Sequence, residues 1–108
     1  MSHFVISPAA RLDLEEIWNY YALDLQNTDA ADRIRDEIFA AVAKLARTPG
    51  MGHFRNDLAK EPVRFWHVRS VLIIYRAEKQ PLEVVRVLHG ARDVEAISAP
   101  LKTGVNLN

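Results

Sequence analysis

Residues 64–76 read RFWHVRSVLIIYR, and residues 82–89 read LEVVRVLH. β-Branched and aromatic side chains dominate both stretches, and the Lys79-Gln80-Pro81 turn lies between them, so both read as strand sequence. The first stretch holds two strands. Its leading half alternates loosely, whereas VLIIYR is a continuous apolar run, the pattern of a central strand covered on both faces. Tight turns at Arg69-Ser70 and Gln80-Pro81 set a register in which Val68 faces Val71 and Lys79 faces Leu82. Side chains alternate between faces, so Phe65, His67, Leu72, Ile74, Arg76, Val85, Val87 and His89 are expected on one face. Arg64, Trp66, Ile73, Tyr75, Val84, Arg86 and Leu88 are expected on the other. The same register sets His67, Leu72 and His89 in one cross-strand row and Arg64, Tyr75 and Arg86 in another. Either face could meet the rest of the core. The face left over would be apolar with basic groups set into it, a surface suited to a partner.

Upstream of these strands the period changes. HFVIS is short, apolar and stopped by Pro8, and it reads as a first strand. Ser7 offers a helix N-cap and Pro8 takes the first helical position, where its missing N–H costs nothing. Asp13, Glu15 and Glu16 fall near the positive end of that helix. Ala10, Leu14, Ile17, Trp18, Tyr21 and Leu25 recur at helical spacing and make one face. LQNTDAAD interrupts the pattern, with Thr28 or Asp29 placed to cap a second helix whose face is Ala31, Ile34, Ile38, Val42 and Leu45. Pro49-Gly50 ends it. Residues 49–62 read as a connection, and DVEAISAP as a short C-terminal helix. The order β-α-α-β-β-β predicts an α+β domain, an antiparallel helical hairpin packed on an antiparallel β-sheet, over residues 1–98. Residues 99–108 are expected to be a flexible tail.

A chain of 108 residues is one domain and buries enough surface for a core without staples. Cysteine is absent, in keeping with a reducing compartment. No apolar run approaches the ~18 residues of a membrane span, and the N-terminus lacks the apolar centre of a signal peptide. A cytoplasmic protein without membrane contact is expected. Fourteen basic and fourteen acidic side chains balance, which argues against a strong nucleic-acid field. Their distribution is uneven. Eight acids lie in the first 40 residues, while Arg64, Arg69, Arg76, Arg86 and Arg92 lie in the last 45. Arginine-rich surface suits bidentate recognition of carboxylate or phosphate. The four histidines, at 3, 53, 67 and 89, show no metal-ligand spacing, so no metal and no cofactor is expected.

SPAARLDLEEIWNYYA (7–22), RFWHVRSVLIIYR (64–76) and LEVVRVLHGARDVEAI (82–97), together with the element order, resemble the RelE/ParE superfamily of toxins from type II toxin–antitoxin systems. The resemblance runs from Phe4 to about Ser98. It implies a toxin held inactive by a cognate antitoxin, whose C-terminal segment wraps the toxin and whose N-terminal domain binds operator DNA. Contact with that DNA would then be indirect, and no small-molecule substrate is implied. RelE-like members cut messenger RNA on the ribosome, and ParE-like members poison DNA gyrase.

Cutting RNA by attack of a 2′-oxygen requires a proton acceptor, cations for the charge on phosphorus and a donor for the leaving oxygen. The resemblance implies lysines and arginines on the central strands and an aromatic hydroxyl near the C-terminus for that work. Here the lysine positions fall on Phe65 and His67, the strand arginine on Leu72 and the terminal tyrosine near Ser98, while Arg92 alone matches a nuclease base. The expectation is therefore a ParE-like toxin of DNA gyrase with no catalytic residues. The alternatives are a ribosome-dependent nuclease with an atypical site built from His67, Arg76, His89 and Arg92, or a toxin with decayed activity kept in a repressor complex. Antitoxin or target contacts are expected at Tyr20, Arg64, His67, Arg69, Arg76, Arg86, His89 and Arg92. Tyr20 and Tyr21 lie about 100° apart on a regular helix, so one of them should leave the buried stripe and face a partner.

Overall fold

Ser7 ties the first strand, the first helix and the last strand together in the computed structural model of the protein, which describes residues 3–54 and 62–90. Strand β1, Phe4–Ile6, ends at this residue and helix α1, Pro8–Asn19, begins after it. The Ser7 hydroxyl accepts the Ala10 N–H at 3.0 Å, capping α1 as its sequence predicts. It also donates to the Val85 carbonyl at 2.7 Å, while the Ser7 N–H donates to the Val84 carbonyl at 3.0 Å.

Helix α1 runs into a π-helical segment, Tyr20–Asp24. Helix α2, Thr28–Arg47, follows and is capped by Asn27, whose side-chain oxygen accepts the Ala30 N–H at 3.0 Å; Thr28 and Asp29 do not take that role. Ala31, Ile34, Ile38, Val42 and Leu45 are all buried, the stripe read from their spacing. After a 3₁₀ turn at Pro49–Met51 come β2 (His53–Phe54), β3 (Arg64–Val68), β4 (Val71–Arg76) and β5 (Leu82–His89). The five-stranded sheet has the order β1-β5-β4-β3-β2.

The α+β class and the helical hairpin stand as expected, with two refinements. The sheet is mixed, because β1 pairs with β5 in parallel, while the other four strands pair antiparallel. Part of the 49–62 connection forms the edge strand β2, paired with β3 through His53↔Phe65 and Phe54↔Arg64. The expected C-terminal helix and tail lie outside the described residues.

The first hairpin register holds, with Arg64↔Tyr75, His67↔Leu72 and Val68↔Val71 paired. The second does not. Tyr75 pairs with Val84 and Ile74 with Arg86, so Val85 is an extra residue that forms a β-bulge. Beyond it the faces of β5 exchange. Leu72 pairs with Leu88 and Val71 with His89, so neither expected row, His67–Leu72–His89 nor Arg64–Tyr75–Arg86, forms.

One core joins Ile17, Ile34, Ile38, Val42, Ile73, Tyr75, Val84 and Val87 between helices and sheet. A second joins Val63, Phe65, Leu72, Ile74, Val85 and Leu88 on the opposite face. These six are buried, which removes the open apolar sheet face expected as a partner surface.

Asp13 secures the bulge. It sits one turn into α1, buried, and does not serve as a solvent-facing helix-end charge. Its carboxylate accepts the Val87 N–H at 2.9 Å and a bidentate Arg86 guanidinium at 2.8 and 3.0 Å. Tyr75 plays a comparable part at the other end of the sheet. Its hydroxyl donates to the Pro49 carbonyl at 2.7 Å and accepts the Gly52 N–H at 2.8 Å. A Cβ on Gly52 would lie 2.8 Å from the Tyr75 ring and 3.0 Å from the Phe65 carbonyl, so only glycine allows this approach.

Two predictions follow from these anchors. Asp13→Ala removes the carboxylate that accepts from the partly buried Arg86 guanidinium and the buried Val87 N–H, and should destabilise the fold by about 3 kcal/mol in urea denaturation; a loss below ~0.5 kcal/mol would deny the carboxylate its role. Burial pushes the Tyr75 phenol above its ordinary pKa, opposed by the Gly52 N–H and Arg64. Its contribution to stability is complete below the unfolded pKa of ~10 and is lost as pH rises through the folded value. The native protein should therefore weaken above pH ~10 more steeply than Tyr75→Phe. That variant should itself be about 2 kcal/mol less stable at neutral pH.

Candidate partner-binding surface

The last strand delivers His89 to the end of α1. Because the bulge reverses its face, the imidazole Nε2 lies 3.0 Å from the Tyr21 hydroxyl. Tyr20 joins them, its ring 5.2 Å from Tyr21 and 5.3 Å from His89. A regular helix would splay the two tyrosines apart. The π-helical segment that begins at Tyr20 carries the extra residue that brings both rings to His89. Tyr20 is therefore half-buried against His89 rather than projecting outward alone.

The arginines sort by partner. Arg86 is engaged with Asp13. Arg69, at positive φ in the β3–β4 turn, makes a bidentate pair with Glu37 of α2, with Nη2 2.9 Å from one oxygen. That hydrogen bonding holds the Glu37 carboxyl below its ordinary range and raises Arg69. Arg76 meets Glu83 across the strand pair at 3.4 Å. Arg64 donates from Nη1 to the Gly52 carbonyl at 2.9 Å, and its guanidinium carbon stands 4.1 Å over the Phe54 ring. His67 is exposed. Since Leu72 and Val71 point to opposite faces, their partners His67 and His89 do too, and the two imidazoles cannot flank one phosphate. Arg92 lies outside the described residues.

Positions 65 and 72, where nuclease relatives would carry cations, hold Phe65 and Leu72 buried in the second core. No group of three or more His, Cys, Asp or Glu among the described residues is placed to hold a metal. No helix among the described residues is long and apolar enough to cross a membrane.

One feature escaped the sequence reading. A groove of about 460 Å³ opens between α1 and α2, floored by Ile6, Leu14, Trp18 and Phe39 and rimmed by Arg11, Glu15 and Arg35. Phe39 is 37% exposed and touches Phe4 with ring centroids 6.4 Å apart. Trp18 keeps its indole N–H on Asp32 at 3.3 Å. The available signal was Phe39 itself, a large aromatic residue one position off the buried stripe of α2.

A family model described as "ParE toxin of type II toxin-antitoxin system, parDE" matches residues 4–94. Curated relatives named Toxin ParE1 are similar to nearly the whole chain. The Mycobacterium tuberculosis protein is 32% identical over 95 residues, 87% of this chain and 95% of its own. The Caulobacter vibrioides protein is 31% identical over 96 residues, 89% and 97% of the two chains. A solved chain titled "Chromosomal ParDE TA system from P. aeruginosa" superposes with a TM-score of 0.67 at 19% identity, covering 83% of this chain and 97% of that one, a likeness of fold. The motifs around Ser7, Arg64 and Leu82, the helical hairpin on its sheet and these matches agree: the chain belongs to the ParE toxin family of type II toxin–antitoxin systems.

Proposed function

We propose that this toxin acts by binding DNA gyrase in the cytoplasm, without chemistry of its own, and that a ParD-like antitoxin neutralises it in a hetero-oligomer. The observation that carries the first half is the burial of Phe65 and Leu72 in an apolar cluster where RNA cleavage would call for cations. Replacing buried apolar groups by lysine or arginine there would cost more than a surface exchange, so this face is committed to packing. Purified toxin should inhibit gyrase supercoiling and accumulate cleaved DNA complexes at micromolar concentration. Absence of both effects, together with messenger RNA cleavage on translating ribosomes, would replace this reading with the nuclease one. His89→Ala should leave growth arrest intact, because the imidazole packs against the Tyr20 ring and is hydrogen-bonded to the Tyr21 hydroxyl, a structural use of the side chain.

The second half is supported by the groove between α1 and α2. An apolar floor with a mixed charged rim is the composition of a protein interface core with its polar border. An antitoxin helix laying an apolar stripe there would follow the helix-in-groove mode. Phe39→Asp should weaken antitoxin binding at least ~30-fold, the loss of a central aromatic anchor, with little change in stability because Phe39 is partly exposed. Isothermal titration calorimetry with the antitoxin tests this, and unchanged affinity would place the antitoxin elsewhere on the surface.

A further inference from the structure

Arg64 differs from Arg69, Arg76 and Arg86 in what its guanidinium faces. Each of those three has a carboxylate within the fold. Among the described residues no carboxylate holds Arg64. A single N–H, from Nη1, goes to the Gly52 carbonyl, and the plane is steadied 4.1 Å above Phe54. Among the described residues no acceptor takes the Nε and Nη2 donors. Those two N–H groups form the side edge of the guanidinium, a parallel fork that matches a carboxylate bidentately. The side chain is already ordered by its backbone bond and its ring, so a ligand would be spared much of the entropy of fixing an arginine.

The position sharpens what that ligand is. Arg64 belongs to β3, yet its guanidinium lies over Phe54, the residue paired with it on β2. The charge has moved one strand outward, to the edge of the sheet. A further strand would lie ~4.8 Å beyond β2, within reach of the open fork. Phe54 is 54% exposed and offers apolar area beside the charge. Aromatic and arginine side chains together are the composition of protein hot spots, and a chain of zero net charge supplies little field for nucleic acid.

We propose that Arg64 on its Phe54 platform is a carboxylate-docking point for an extended acidic segment of a partner protein, which lies along the outer edge of β2 with an aspartate or glutamate on the Nε–Nη2 fork. The site is distinct from the groove between the helices, and it does not depend on gyrase being the target.

The test is NMR of the arginine Nε–Hε signals of the whole protein. The probes are a capped pentapeptide of alternating valine and glutamate, its glutamine counterpart and a short thymidine oligonucleotide. The glutamate peptide should shift the Arg64 signal saturably in the millimolar range, leave that of Arg69 in place, and bind about tenfold more tightly than the glutamine peptide. Arg64→Lys should lose that preference. Phe54→Ala, which touches no buried core, should weaken the glutamate peptide several-fold if the ring serves as the platform, and it provides the readout should Arg64→Lys fail to fold. The proposal is overturned if the glutamate peptide leaves Arg64 unmoved, if the two peptides bind alike, if neither variant alters binding, or if the oligonucleotide moves Arg64 more than the peptide does.

Discussion

The fold depends on one carboxylate. Beyond Ile6, β1 no longer covers β5, and the bulge at Val85 leaves backbone groups on that side without a neighbouring strand. Buried backbone groups must find partners. Ser7 takes the Val84 and Val85 carbonyls, and Asp13 takes the Val87 N–H. Both residues belong to the start of α1, so the helix is fastened to the sheet by hydrogen bonds as well as by apolar contact. Asp13 is itself tolerable inside the protein because Arg86 and Val87 supply three donors to it. The bulge then decides the rest of β5. It sends Val87 to the helices and Leu88 to the second core, and it brings His89 to Tyr21.

The parts of this architecture that were legible in the sequence are those written in local periodicity. The stripe from Ala31 to Leu45, the Ser7 cap and the β3–β4 register rest on spacing within a dozen residues, and all three hold. The bulge was not legible, because VVRVLH has apolar residues at adjacent positions and carries no phase for a slip to violate. What fixes the phase is Asp13, more than 70 residues away in sequence, as the Val87 bond separation of 74 records. The π-helical segment failed for a similar reason. Its extra residue is favoured by ring contacts to His89, which local helix rules do not contain. Strand β2 was hidden because two residues give no alternation to read.

Among the site residues, the sequence identified the arginines as a set but not their division. An acid-rich first half and an arginine-rich second half suggested a basic surface awaiting an acidic partner. Much of that asymmetry is instead consumed within the fold, by Asp13 with Arg86 and Glu37 with Arg69 across the two halves. Such pairs are invisible to a count of charges, since they form only when α1 and α2 are laid against the hairpins.

Pairing within the chain also changes what kind of partner the surface favours. A nucleic-acid interface needs several cations left over to displace counterions from phosphates, and here Arg69, Arg76 and Arg86 already hold carboxylates. Among the described residues, two features offer themselves to a protein partner: an apolar groove between the helices and an arginine fixed on an exposed phenylalanine at the far edge of the sheet. They lie on different elements, β1 with both helices on one side and β2 with β3 on the other. A single long protein segment with an apolar stripe and a separate acidic stretch would engage both at once. Linking two modest contacts in this way raises affinity through effective concentration without requiring either to be strong. A toxin restrained by such a segment would be released in stages, one contact at a time.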